Sequence, residues 1–271
     1  MRIVPLYIWD SVLQNGNNRR RSIARLREAL SPGAFQEASL RQQQVQVSEF
    51  LERVLSDYRV FIVEGISGSG KDTFQGYLKK TLQRRGRDVY DYSEGDVLHS
   101  WKHLQIAGVL QVRVRFMRFF ANYMRDVINR DDNAVFLLNR FHLSTYASTI
   151  VEQPDLRKEY DEIINVLQTL PIHIFVLLLN ETEIEKRSIH PERSGAWRKF
   201  QKQIAEGNSF RHRLEKQQRL ILQAAKRQQI AYSVIRLASE LEDEPIIPIS
   251  GINRRPIQLS RTRISESKPT P

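Results

Sequence analysis

A glycine-rich run, Gly65-Ile66-Ser67-Gly68-Ser69-Gly70-Lys71-Asp72-Thr73, constrains this chain more than any other feature. It follows a short apolar, β-branched stretch, Val60–Val63, and opens a stretch of helical character, Lys71–Arg84. Strand, loop and helix in that order are the setting that a phosphate-binding loop requires. Glycine tolerates positive φ and lets the backbone approach a ligand closely, so successive N–H groups can turn toward phosphate oxygens. The first turn of the helix adds partial positive charge at the same point. On this reading the run Gly65 to Thr73 binds the phosphates of ATP. Lys71 would bridge the β- and γ-phosphates and follow the charge as it moves. Thr73 and Asp72 are the candidates for holding magnesium. Asp72 departs from the usual pattern, in which Ser or Thr follows the lysine. A carboxylate there repels phosphate unless it faces a metal or points away.

Beyond this helix the alternation continues. Asp88–Tyr92, Ala134–Leu138, Ile172–Leu179 and Ile230–Ile235 read as strands. A helix is expected over Leu110–Asn129, and mostly helical character over Glu181–Gln228, interrupted near Pro191 and Gly195. Strands alternating with helices imply a parallel sheet with right-handed crossovers. With the phosphate loop, the expected fold class is α/β, a P-loop NTPase three-layer sandwich. Ligands in such sheets sit beyond the carboxyl ends of the strands, where the loops after Val63, Leu138 and Leu179 gather. The expected P-loop domain spans 59–240. A helical N-terminal extension, 1–58, precedes it, with Ser31-Pro32-Gly33 breaking its two amphipathic stretches. A flexible C-terminal tail, 241–271, follows, with five prolines and little periodicity.

The chain has no cysteine, which removes disulfides and thiolate metal sites. Its longest apolar runs are strand-sized and too short to cross a bilayer, and its N-terminus lacks the layout of a secretory signal. Arg19, Arg20, Arg21, Arg25 and Arg27 suggest an organelle transit peptide, but Asp10, Glu28 and Glu37 argue against it, so a cytoplasmic protein is expected. The net charge of +11 is concentrated in Arg187–Arg227, where eleven Lys or Arg face only Glu192, Glu206 and Glu215. Such a patch suits polyphosphate or nucleic acid, or is a solvated helical face; a phosphate-facing role for part of it is preferred.

At the end of the Ala134–Leu138 strand lies Asn139-Arg140-Phe141-His142-Leu143-Ser144-Thr145-Tyr146-Ala147. An arginine after a central strand suits bidentate phosphate contact, with a structural ion pair as the bland alternative. Together with Glu64-Gly65 before the loop, and Leu177–Asn180 before a helix with spaced arginines, this segment resembles the thymidylate kinase and deoxynucleoside kinase group of P-loop enzymes. Their pattern here is Asp-Arg-Tyr, then Ser three on and Ala three further. The resemblance covers roughly residues 60–240. It implies that Arg140 holds the acceptor's phosphate or the transferring group. It also implies a lid around His190-Pro191, in which Arg187 and Arg193 close over the phosphates. Asn139 stands where the family has Asp, removing a carboxylate usually placed near magnesium or the acceptor. Ser144 would meet a neighbour or the substrate, or cap a helix. Glu94, in Tyr92-Ser93-Glu94-Gly95-Asp96, looks like the family's Glu-Pro element beside the acceptor; the plain alternative is an acidic loop with Asp91 and Asp96. A homodimer is a further implication.

The acceptor divides the readings. A nucleoside monophosphate is already anionic, so its kinase needs mainly positioning and charge neutralisation. A nucleoside hydroxyl must lose a proton, and Glu94 is the candidate base. Transfer from ATP to a nucleoside monophosphate is preferred. The alternatives are a nucleoside kinase, a nucleic-acid-end kinase suggested by the basic segment, and a non-catalytic nucleotide-binding protein suggested by Asp72 and Asn139. In the helix over Leu110–Asn129, Phe120 and Asn122 fall where the family often has Arg and Gln for the base, and Arg113, Arg115 and Arg118 supply positive charge instead. Phe116 and Phe120 could stack on a base, although aromatics at helical spacing are more often core. His99 and His103 flank Trp101 but lack a further ligand for zinc.

Overall fold

A computed structural model describes residues 48–98, 108–188, 195, 210–236 and 249–251. Expectations for residues 1–47, His99, Trp101, His103, His190-Pro191, Arg193 and most of the tail lie outside the described residues. The elements in chain order are α1 (48–57), β1 (Val60–Gly65), α2 (Lys71–Arg84), β2 (Asp88–Tyr92), α3 (Glu94–Leu98) and α4 (Val109–Arg130). There follow β3 (Ala134–Asn139), α5 (His142–Thr145), α6 (Arg157–Leu167), β4 (Ile172–Leu178) and α7 (Ile184–Ser188). The last three are α8 (Phe210–Arg227), β5 (Ala231–Arg236) and β6 (Ile249–Gly251).

The six strands form one sheet in the order β2-β3-β1-β4-β5-β6, parallel except for β6, which pairs antiparallel with β5. This is the expected three-layer α/β sandwich, and all five expected strands are present. The central strands β1, β3 and β4 are buried at every residue, because both faces are covered. Alternate side chains serve the two faces. Val60, Ile62, Phe136, Leu138, Ile174 and Val176 join a core with α4, α6 and α8. Phe61, Val63, Val135, Leu137, Phe175 and Leu177 join a second core with Leu78 and Leu82 of α2 and with Leu51, Val54 and Leu55 of α1. The helical layer therefore begins before Arg59.

Besides the short turn α5, three elements have no counterpart in the sequence reading. The first is α6, although Tyr160, Ile163, Ile164 and Leu167 carry the spacing of an amphipathic helix and are all buried. The second is α3, a single helical turn where a loop is expected after β2. The third is β6, which lies in the segment read as a tail. Loops after β1, β3 and β4 meet at one end of the sheet. The register pairs Val63 with Asn139 and Gly65 with Leu177.

Candidate active site

The loop from Gly65 to Gly70 is built from close approaches that only glycine allows. A Cβ on Gly65, at φ 152°, would stand 2.6 Å from the Leu177 carbonyl oxygen. One on Gly68, at φ 83°, would stand 2.9 Å from the backbone of Arg187. Thus α7 is seated directly on the loop, and Ser188 fastens it there by donating its hydroxyl to the Ser67 carbonyl at 2.8 Å. Helix α2 starts abruptly: the first N–H to reach back is that of Phe74, which bonds the Gly70 carbonyl at 3.0 Å. The N–H groups of Lys71, Asp72 and Thr73 precede it and have no acceptor within the helix. Ser69 Oγ is buried with no hydrogen-bond partner among the described residues.

Lys71 is only 7% exposed, and its Nζ donates to the Ile66 carbonyl at 2.9 Å, closing the loop on itself. Burial, and then the positive charge of Arg140, pull its pKa down from the ordinary value to about 7, against the opposing pull of Glu94, Asp72 and Glu64. A phosphate entering the loop would offer this ammonium a better partner than a carbonyl.

Arg140 follows β3 with φ 62°, a left-handed conformation that is strained for arginine. Its N–H bonds the Val63 carbonyl at 2.9 Å, its Nε donates to the Gly65 carbonyl at 3.1 Å, and its Nη1 donates to Glu94 Oε1 at 2.7 Å. Arg140, Glu94 and the glycine loop are therefore gathered at one place. The strained turn is held by Glu64, which is fully buried under it. Oε1 of Glu64 accepts from the N–H of Phe141 at 2.9 Å, Leu143 at 3.1 Å and Ser144 at 3.4 Å, and Oε2 accepts from the Ser144 hydroxyl at 2.5 Å. Ser144 thus meets Glu64 rather than solvent. Burial pushes the Glu64 carboxyl up, and these donors oppose the shift.

The acidic residues near Glu94 have other partners. Asp91 is tied to α2 through Gln75 at 2.5 Å and Lys79 at 2.8 Å. Asp96 accepts from both the N–H and the hydroxyl of Ser93 at 2.7 Å. Of the three α4 arginines singled out in the sequence, Arg118 pairs with Glu162 on α6 and Arg115 is exposed. Arg113 is different. Its Nη2 donates to Thr145 Oγ1 at 3.2 Å, its Nε is buried with no partner among the described residues, and its charge acts on Glu94. Phe120 is buried in the core, edge-on to Tyr92 at 4.8 Å, and Asn122 bonds the Arg118 carbonyl of its own helix. Neither is presented to a base. Arg187 donates to Glu183 at 3.4 Å.

Asp72 and Asn139 are in contact. Asn139 Nδ2 donates to Asp72 Oδ1 at 2.5 Å, joining the start of α2 to the end of β3. Among the described residues no three His, Cys, Asp or Glu cluster as a metal cage. Carboxylate and amide oxygens at the mouth of the loop nevertheless suit magnesium, a hard ion that takes few protein ligands and fills its shell with water and phosphate oxygens. No helix among the described residues is long and apolar enough to cross a membrane.

No protein-family model matches the chain, and no curated protein matches it either. Among solved structures it is similar to thymidylate kinase from Ehrlichia chaffeensis, with 18% sequence identity and a TM-score of 0.45. That match covers 69% of this chain and 91% of the thymidylate kinase.

Proposed function

We propose that the domain is an ATP-dependent phosphotransferase whose acceptor is a nucleoside monophosphate. The observation that supports this most directly is the placement of Arg140, whose guanidinium bonds both Glu94 and the Gly65 carbonyl beside the loop that holds Lys71. A guanidinium fork at the loop mouth suits bidentate contact with a phosphate, which an anionic acceptor brings.

In this reading the N–H groups of the loop and of the first turn of α2 bind the β-phosphate of ATP. Lys71 leaves the Ile66 carbonyl for the β- and γ-oxygens. Asp72 would hold the magnesium that comes with the nucleotide, which would supply further charge neutralisation there. Arg140 and Arg113 position the acceptor's phosphate, and Glu94 keeps the Arg140 fork directed. An acceptor phosphate oxygen attacks the γ-phosphorus, and the bond to the β–γ bridging oxygen breaks with its electron pair leaving on ADP. The acceptor needs no base, since its oxygen is already deprotonated. Arg187 lies against the loop from α7, where it would add positive charge as transfer proceeds.

The test is ADP formation by the purified chain with ATP and magnesium across nucleoside monophosphates, nucleosides and short oligonucleotides, beside Lys71→Ala. Turnover dependent on a monophosphate, and lost in the variant, is expected. Turnover with nucleosides alone would make Glu94 a base and overturn the acceptor assignment; ATP binding without turnover on any acceptor would point to a binding protein.

A further inference from the structure

Asp72 departs from the usual phosphate-loop pattern and Asn139 from the strand-end pattern that the sequence resembles, yet they are partners in space. We propose that they form a transposed magnesium anchor, in which the carboxylate has moved from the strand end to the helix start and a neutral oxygen has moved the other way. The proposal rests on the nucleotide-site reading above and concerns which residues of this chain meet the metal.

Four observations lead there. First, Asp72 and Asn139 are 67 residues apart in sequence, and the bond between them spans the gap between α2 and β3 directly beside Lys71. Second, the amide can face the carboxylate in one way only. An ionised carboxylate is acceptor-only, so the NH2 of Asn139 must turn toward it. The carbonyl oxygen Oδ1 is then left over, and it is buried without a hydrogen-bond partner among the described residues, on a side chain only 4% exposed. Buried oxygens in native folds normally have partners, and a cation or its water shell would supply one here. Third, Asp72 is exposed while Asn139 is buried. The carboxylate is thus the member that an incoming metal–nucleotide complex reaches first, with the amide fixing its orientation from beneath. Fourth, the charge is conserved under the exchange. One carboxylate and one neutral oxygen group stand at the loop mouth, as they would with a hydroxyl on the helix and a carboxylate on the strand.

A plainer account makes Asp72 a stabiliser of the α2 macrodipole. That explains a carboxylate in the first turn, but not the inward amide with its unpartnered oxygen. A carboxylate so close to phosphates would also weaken their binding unless a cation stood between them.

The experiment measures ADP affinity by calorimetry with and without Mn2+, together with bound Mn2+ by electron paramagnetic resonance, on the full chain. In the wild type, Mn2+ should tighten ADP binding and ADP should recruit Mn2+. Asp72→Asn, a near-isosteric change at an exposed site, should reduce that mutual enhancement by about tenfold or more. Asp72→Ser should do the same. The double variant Asp72→Ser/Asn139→Asp, which restores the usual arrangement, should recover most of the loss. Thermal melting of each variant checks that it is folded. Enhancement within about twofold of wild type in Asp72→Asn, or a folded double variant no better than Asp72→Ser alone, overturns the proposal. Wild-type ADP binding that ignores Mn2+ overturns it while leaving the nucleotide site intact. No ADP binding at all removes both.

Discussion

Lys71 should take up a proton when nucleotide binds. In the free protein burial and the positive Arg140 outweigh Glu94, Asp72 and Glu64 and bring the pKa of its ammonium to about 7, and its acceptor among the described residues is the Ile66 carbonyl. At pH 8 about nine in ten molecules would hold Lys71 neutral. A polyphosphate in the loop brings negative charge next to the amine and favours the ammonium, so binding raises the pKa. The expected uptake at pH 8 is therefore about 0.9 proton per site. The terminal phosphate of free nucleotide is already deprotonated at this pH, which leaves the lysine as the main source. Calorimetry of ADP binding in buffers of different ionisation enthalpy reads the uptake as a slope, and Lys71→Arg, whose charge does not titrate, should bring the slope to zero. The same shift has a signature in the free protein. Between about pH 7 and the ordinary lysine value of 10.5, the unfolded chain binds more protons than the folded one. Stability from this group is thus fully present above 10.5 and is lost as pH falls toward 7. A binding enthalpy independent of buffer at pH 8 would show that Lys71 is already charged in the empty loop, and the argument from its burial would fail.

Glu64→Ala should destabilise the domain by about 3 kcal/mol or more, because three backbone N–H groups and the Ser144 hydroxyl lose a buried acceptor at once. Turnover should fall with it, since the strained turn at Arg140 loses its support; a urea midpoint within error of wild type would refute this. His142 and His173 are both buried, and desolvation holds each at about 3 against an ordinary 6.5. Their folded pKa values are depressed, so the stability linked to them is present above pH 6.5 and is lost as pH falls toward 3. His173→Gln, which keeps a polar group near Ser233, should flatten the fall in the unfolding free energy from urea titrations between pH 6.5 and 4.5 by about 2–3 kcal/mol.

The strands β1, β3 and β4 were legible because each is a short apolar run bounded by turn or helix signals, and burial on both faces removes the ambiguity of an alternating pattern. Helix α2 was legible from its glycine start. The strand β6 was not, because Ile249–Gly251 has no periodicity of its own and its pairing depends on the free edge of β5. In the site, residue types were legible but directions were not. Arg113 and Arg118 are five positions apart on one helix, which turns them about 140° from each other. One therefore meets Thr145 while the other meets Glu162, and nothing in their neighbours' identities says which. Glu64 illustrates the same point. Beside Gly65 it reads as part of the loop motif, yet its side chain turns under the sheet end to hold the backbone that follows β3.

Asp72 and Asn139 show why comparing a chain with a pattern one position at a time misleads. Each residue judged alone looks like a loss, the first adding repulsion and the second removing a carboxylate. The parallel pairing of β1 with β3 brings Asn139 level with the end of β1, and the loop after β1 carries Asp72 back over the same point. Two substitutions that fall 67 positions apart in the chain are then a single change in the donors around one small volume. A site of this kind is defined by which oxygens reach that volume and by their total charge, rather than by which strand or helix supplies them. The transposed pair therefore has a consequence that neither residue has alone: changing one should be harmful, and changing both in the compensating sense should be much less so.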